Sequence, residues 1–90
     1  NKPLRIVKDI DEWMNQNPDK KAIVLLYEEK TIPLPSLLLS KNYNLGEIAN
    51  SLFHVMRDAD KSEAEIILVE PIKKQGIGRA IADRLERAQL

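Results

Sequence analysis

Cysteine is absent from these 90 residues, so neither a disulfide framework nor a thiolate metal site can exist. That absence fits a cytoplasmic protein. A single histidine, His54, excludes a histidine-rich metal site. Aromatic residues make up only 4% of the chain, as Trp13, Tyr27, Tyr43 and Phe53, so aliphatic side chains must do the packing. Net charge is also missing. Fourteen basic residues cancel fourteen acidic ones, which removes the electrostatic footprint of a protein that grips a phosphate backbone and argues against direct nucleic-acid binding. The longest apolar run, AIVLLY, is far too short to cross a bilayer, and no signal peptide is visible, so no membrane partner is expected. What remains is one small domain over residues 1–90 with 43% hydrophobic residues, enough for a core. The chain opens on Asn1 rather than methionine, which a segment cut from a longer protein explains most simply.

Leu4–Val7 is a short extended run after Pro3. Asp9 has the chemistry of a helix cap, with Asp11 and Glu12 in the first turn and Ile10, Trp13 and Met14 at i, i+3, i+4. Asn17-Pro18-Asp19 stops that helix. Ala22–Tyr27 is apolar throughout, the pattern of a strand covered on both faces. Pro33 and Pro35 exclude regular structure between Thr31 and Ser36, and Leu37–Leu39 reads as a short edge strand reached by an extended crossover or a hairpin. Asn44 and Glu47 are spaced as a capping box opening a long helix with Ile48, Leu52, Val55, Met56 and Ala59 as its buried stripe. Ile66–Val69 is the second fully apolar strand. Pro71 closes it, and Gly76 and Gly78 lead into a last helix whose stripe is expected at Ile77, Ala80, Ile81, Leu85 and Ala88. The order β-α-β-β-α-β-α implies a small three-layer α/β domain. Its sheet of about four strands is mostly parallel, with Ala22–Tyr27 and Ile66–Val69 central and helices on both faces.

Chemistry-bearing residues are few. Gly76-Ile77-Gly78 sits between a strand end and a helix start, where backbone amides can meet an anion or a nucleotide, with Lys73, Lys74 and Arg79 adding charge. The competing explanation is a tight turn that needs glycine for its backbone alone. The third glycine of a dinucleotide fingerprint is replaced by Ile81. On the anion reading, Gly78→Val removes binding and leaves the fold mostly intact; on the turn reading it lowers stability. Glu70, at the end of its strand, either accepts hydrogen bonds from a ligand or pairs with Lys73, Arg57 or Arg79. Asp83 and Arg87 are spaced as a helical ion pair within a solvated face. His54 has no recognisable catalytic partner, and no residue is assigned a catalytic role.

Three stretches carry a resemblance. Ala49-Asn50-Ser51-Leu52-Phe53 continuing to Arg57 and Asp60 resembles the ARNLF-xxLR-xxD helix of the C-terminal domain of two-domain threonylcarbamoyl-AMP synthases. Ile67-Leu68-Val69-Glu70 resembles that domain's ILxE strand end, and GIGRAIADRLERA its GLGxAIxDRLxRA close. The match is specific over about half the chain, and departs at Asn50 and Ser51 and in the short segment from Tyr27 to Leu37. The resemblance implies a Rossmann-like accessory domain that regulates or covers an active site. That active site belongs to a YrdC-like N-terminal domain, the expected partner in cis, which joins threonine, bicarbonate and ATP for tRNA threonylcarbamoyladenosine modification. No cofactor is expected in this domain; ATP and Mg belong to the parent enzyme. By residue the resemblance marks Arg57, Asp60, Glu70, Gly76, Gly78, Asp83 and Arg84, none as catalytic. The alternatives from other classes are an independent nucleotide- or phosphate-binding module and a protein-interaction domain without a small ligand.

Overall fold

The computed structural model describes residues 2–89. Its elements follow the expected order: β1 (Leu4–Ile6), α1 (Ile10–Gln16), β2 (Ala22–Leu26), β3 (Ser36–Leu38), α2 (Leu45–Asp60), β4 (Ile66–Val69) and α3 (Ile77–Ala88). The four strands form one sheet in the order β1-β4-β2-β3, and every pairing is parallel. β2 and β4 are central and buried along their whole lengths, as two runs without polar alternation require. Strand ends differ from the sequence reading by a residue. Ladder bonds nevertheless continue past them, from Val7 N–H to Val69 O (2.8 Å) and from Leu39 N–H to Leu26 O (2.8 Å).

Alternate residues of the central strands feed two separate cores. Ile23, Leu25, Ile67 and Val69 face α2 and α3, meeting Ile48, Leu52, Val55, Ala59, Ile81 and Leu85. Ala22, Val24, Leu26, Ile66 and Leu68 face Ile10 of α1, with Trp13, Met14, Ile32 and Leu34 packed against them. The result is a three-layer Rossmann-like domain. The β2–β3 connection is an extended parallel crossover rather than a hairpin, and Ile32 and Leu34 from it cover the sheet where a helix would otherwise lie.

Caps form where the chemistry placed them. The Asp9 carboxylate accepts the Glu12 N–H (3.1 Å), and the Asn44 side chain accepts the Glu47 N–H (3.0 Å). The return half of the second capping box runs through a buried hydroxyl: Ser40 Oγ accepts the Asn44 N–H (3.0 Å) and donates to Glu47 Oε1 (2.8 Å).

Two stripe expectations need correction. Met56 is only half buried. On α3 the core face is Gly78, Ile81, Ala82 and Leu85, while Ile77 and Ala80 are exposed and Ala88 is half buried. Ile81 and Leu85 belong to either stripe. The helix turns its smaller flank inward, because Gly78 and Ala82 allow a close approach that Ile77 would block.

Candidate functional site

Parallel strands deliver their carboxyl ends to one edge of the sheet, and a gap opens there wherever neighbouring strands leave toward opposite faces. β1 and β2 lead into the layer of α1 and the Ile32–Leu34 crossover, whereas β4, lying between them, leads into the α2–α3 layer. A crevice of about 420 Å³ lies at this gap, lined by Lys8 beyond β1, Tyr27 and Glu28 at the end of β2, Lys30, Tyr43, and Glu70 at the end of β4.

Its floor is aromatic. Tyr27 is buried and donates its hydroxyl to the Glu70 carbonyl (2.6 Å). The Tyr43 ring packs against it with centroids 5.4 Å apart, tilted by 57°. Residues 40–43 run back beside the end of β2, tied by Tyr43 N–H to Tyr27 O (2.8 Å) and Glu29 N–H to Lys41 O (3.0 Å). Tyr43 holds a left-handed backbone with φ of 59°, uncommon for any residue but glycine, asparagine or aspartate. Its hydroxyl accepts the Lys73 N–H (3.2 Å), and the Lys73 ammonium lies 5.1 Å from the ring centroid. Across the mouth, Lys30 Nζ meets Glu70 Oε1 at 2.8 Å.

Burial, reinforced by Tyr43 and Glu70, pushes the Tyr27 phenol far above the ordinary tyrosine range. The unfolded chain therefore loses this proton first. Stability from the neutral phenol is complete below about pH 10, the ordinary tyrosine value, and falls as pH rises above it. Tyr27→Phe should remove that alkaline slope and, by deleting a buried donor to a carbonyl, cost about 1–2 kcal/mol at neutral pH. Urea titrations of both proteins at neutral and alkaline pH would check this; an unchanged slope in the variant would refute it.

The residues singled out from the sequence fall in separate places. Glu70 and the glycine turn share the carboxyl edge, but Glu70 pairs with Lys30 and not with Lys73, Arg57 or Arg79. Arg57 and Asp60 lie near the opposite edge, because α2 runs back from β3 toward the start of β4. There the Arg57 guanidinium covers the exposed Phe53 ring (5.1 Å), and Asp60 accepts the backbone N–H of Lys2 (3.1 Å). Asp83 and Arg84 are exposed on α3, with Asp83 paired to Arg87 (3.1 Å). His54 is exposed along a separate open groove beside Asn50 and Ser51.

The glycine turn is built for its own backbone. Gly76 has φ of 55° and ψ of −126°, and a Cβ on Gly78 would lie 2.0 Å from the Lys73 carbonyl oxygen. Two of the amides at the head of α3 are already bonded, Gly78 N–H to Gln75 O (2.9 Å) and Arg79 N–H to Gly76 O (3.1 Å). Lys74 reaches Glu86 (3.2 Å), and Arg79 is exposed. Sterics therefore fit the branch in which Gly78→Val lowers stability, and not the one in which it leaves the fold mostly intact.

Sequence reasoning missed Lys8, Tyr27, Glu28, Lys30 and Tyr43 as crevice residues. Tyr27 carried a usable signal, being the polar-tipped residue that ends a buried parallel strand. Lys30 and Tyr43 carried none, since both lie in irregular segments that only the fold brings together. Among the described residues no group of three histidine, cysteine, aspartate or glutamate side chains could hold a metal ion, and no helix is long and apolar enough to cross a membrane.

Comparison with known proteins adds a family. Residues 1–89 match the family model of the threonylcarbamoyl-AMP synthase C-terminal domain. A curated threonylcarbamoyl-AMP synthase of Pyrococcus abyssi is 38% identical over 42 residues, covering 47% of this chain and 12% of that protein. The crystal structure of P. abyssi Sua5 complexed with L-threonine superposes with a TM-score of 0.74 at 22% identity, over 97% of this chain and 27% of that one. A double alanine variant of P. abyssi Sua5 gives 0.70 at 26% identity, over 88% of this chain and 24% of the other. The chain thus spans only a small part of the proteins it matches.

Proposed function

The chain belongs to the threonylcarbamoyl-AMP synthase C-terminal domain family, and from that premise we propose that it is the non-catalytic regulatory or active-site-covering domain of such a synthase. In this reading a YrdC-like N-terminal domain in cis binds ATP, Mg and threonine. It forms threonylcarbamoyl-AMP for tRNA threonylcarbamoyladenosine modification in the cytoplasm. The observation that carries the proposal is the family match over essentially the whole chain, joined to solved neighbours of which the chain covers only 27% and 24%.

The chemistry gives a covering domain a purpose. Threonylcarbamoyl-AMP is a mixed anhydride of a carbamic acid and a phosphate, and water destroys such compounds. A domain that closes over the reacting groups excludes that water and holds the intermediate for transfer. The described residues fit the accessory part. The crevice offers two tyrosines, whose hydroxyls are already engaged, and surface charges, with Lys30 held in an ion pair by Glu70.

Turnover of ATP with threonine and bicarbonate tests the reading. The chain by itself should show none, while a protein carrying both domains should be active and should leak more threonylcarbamoyl-AMP to hydrolysis once this domain is deleted. Robust turnover by the 90-residue chain alone would overturn it.

A further inference from the structure

We infer that the crevice at the carboxyl edge binds a nucleoside 5′-monophosphate, with its phosphate between Lys8 and Lys30 and its ribose hydroxyls on the Glu70 carboxylate. The inference rests on the crevice and not on the family reading, so either can fail alone.

Position and size come first. The crevice lies where the sheet's connections diverge, the usual ligand position in such sheets, and its volume of about 420 Å³ is in the range that holds small ligands. Charge then narrows the class. Two ammonium groups attract an anion, but Glu28 and Glu70 line the same space and repel one that brings nothing for them. The fitting molecule joins an anionic group to hydrogen-bond donors a few bonds away. The Lys30–Glu70 pair already mimics that arrangement. Its side chains are 40% and 32% exposed, so it is weakly held and can open to let each member take its half of a ligand. The floor decides between a sugar phosphate and a free amino acid. Tyr43, half-buried and packed against the buried Tyr27, is the part of the floor that can meet a planar base, and it holds a left-handed backbone there.

Titration of the isotopically labelled chain, followed by backbone amide resonances, tests this with AMP, adenosine, inorganic phosphate and L-threonine. AMP should perturb residues around Tyr27–Lys30, Tyr43 and Glu70. Adenosine and phosphate should each bind at least about tenfold more weakly, because adenosine lacks the contacts to Lys8 and Lys30 and phosphate lacks those to Glu70. Glu70→Gln should weaken AMP by a similar factor while leaving phosphate unchanged or tighter. Lys30→Met should weaken AMP and flatten its salt dependence. Lys74→Ala, at the glycine turn, should change nothing. If Glu70→Gln disturbs the fold, 2′,3′-dideoxy-AMP on the unaltered chain should show the same loss. No perturbation at about 10 mM AMP, perturbation centred on Gly76–Arg79, or phosphate or threonine binding as tightly as AMP would each overturn the inference.

Discussion

Leu85→Ala and Leu52→Ala are each expected to lower stability by about 2–5 kcal/mol, through lost burial plus the cavity left behind. Leu85 is 1% and Leu52 2% exposed, and both belong to the larger of the two cores, between the sheet and the α2–α3 layer. Helices α2 and α3 also pack against each other, and α3 touches β1, so neither site can collapse without moving a neighbouring element. A domain of this size has roughly 5–15 kcal/mol of stability in all, toward the lower end for so short a chain. Either variant should therefore shift the urea midpoint strongly at unchanged slope. A loss under about 0.5 kcal/mol at both positions would mean that the helix faces are wrongly assigned.

Gly78→Val is the second large effect, and its cause is repulsion rather than a void. The added Cβ meets the Lys73 carbonyl oxygen at 2.0 Å and its carbon at 3.2 Å, and both are backbone atoms that cannot swing aside. Either the β4–α3 connection shifts or α3 lifts from the sheet. The expected cost is about 3 kcal/mol, at the upper end of overpacking penalties. Even Gly78→Ala should lose much of that amount. Gly76 supplies the contrast, because nothing lies within 4 Å of its added Cβ. Gly76→Ala should cost only the backbone strain of its positive φ, about 1–3 kcal/mol. Thermal melts of the three variants would separate the causes. A Gly78→Ala protein as stable as the parent would show that the turn relaxes freely.

Much of this protein was legible in one dimension. Two apolar runs without alternation, Ala22–Tyr27 and Ile66–Val69, identified the central strands, because only a sheet covered on both faces tolerates such runs. Asp9 and Asn44 marked helix starts, because a short polar side chain before an amphipathic run answers the unpaired amides there. Prolines 33 and 35 excluded a helix from the β2–β3 connection, and the stretches that resemble the synthase domain lie within the residues its family model matches. All of these are local signals, written within a few residues of the feature they specify.

The rest depended on residues far apart in the chain. Periodicity put Ile77 and Ala80 on the inner flank of α3, and the structure turns the Gly78 and Ala82 flank inward instead, with Ile81 and Leu85 serving both stripes. Close contact between Gly78 and the Lys73 backbone settled it. From the sequence, Glu70 either met a ligand or paired with Lys73, Arg57 or Arg79. Its partner is Lys30, forty residues away, because β2 and β4 are adjacent in the sheet and their carboxyl ends converge. Tyr43 reaches Tyr27 because β3 lies beside β2 and residues 40–43 run back along the end of β2, carried by a left-handed backbone that no pattern of residue types announces. Local chemistry in the sequence determined the elements, the buried strands and the family. Only tertiary structure decided the crevice, because a gap between diverging connections exists only once the sheet order is set, and non-local pairing sets that order.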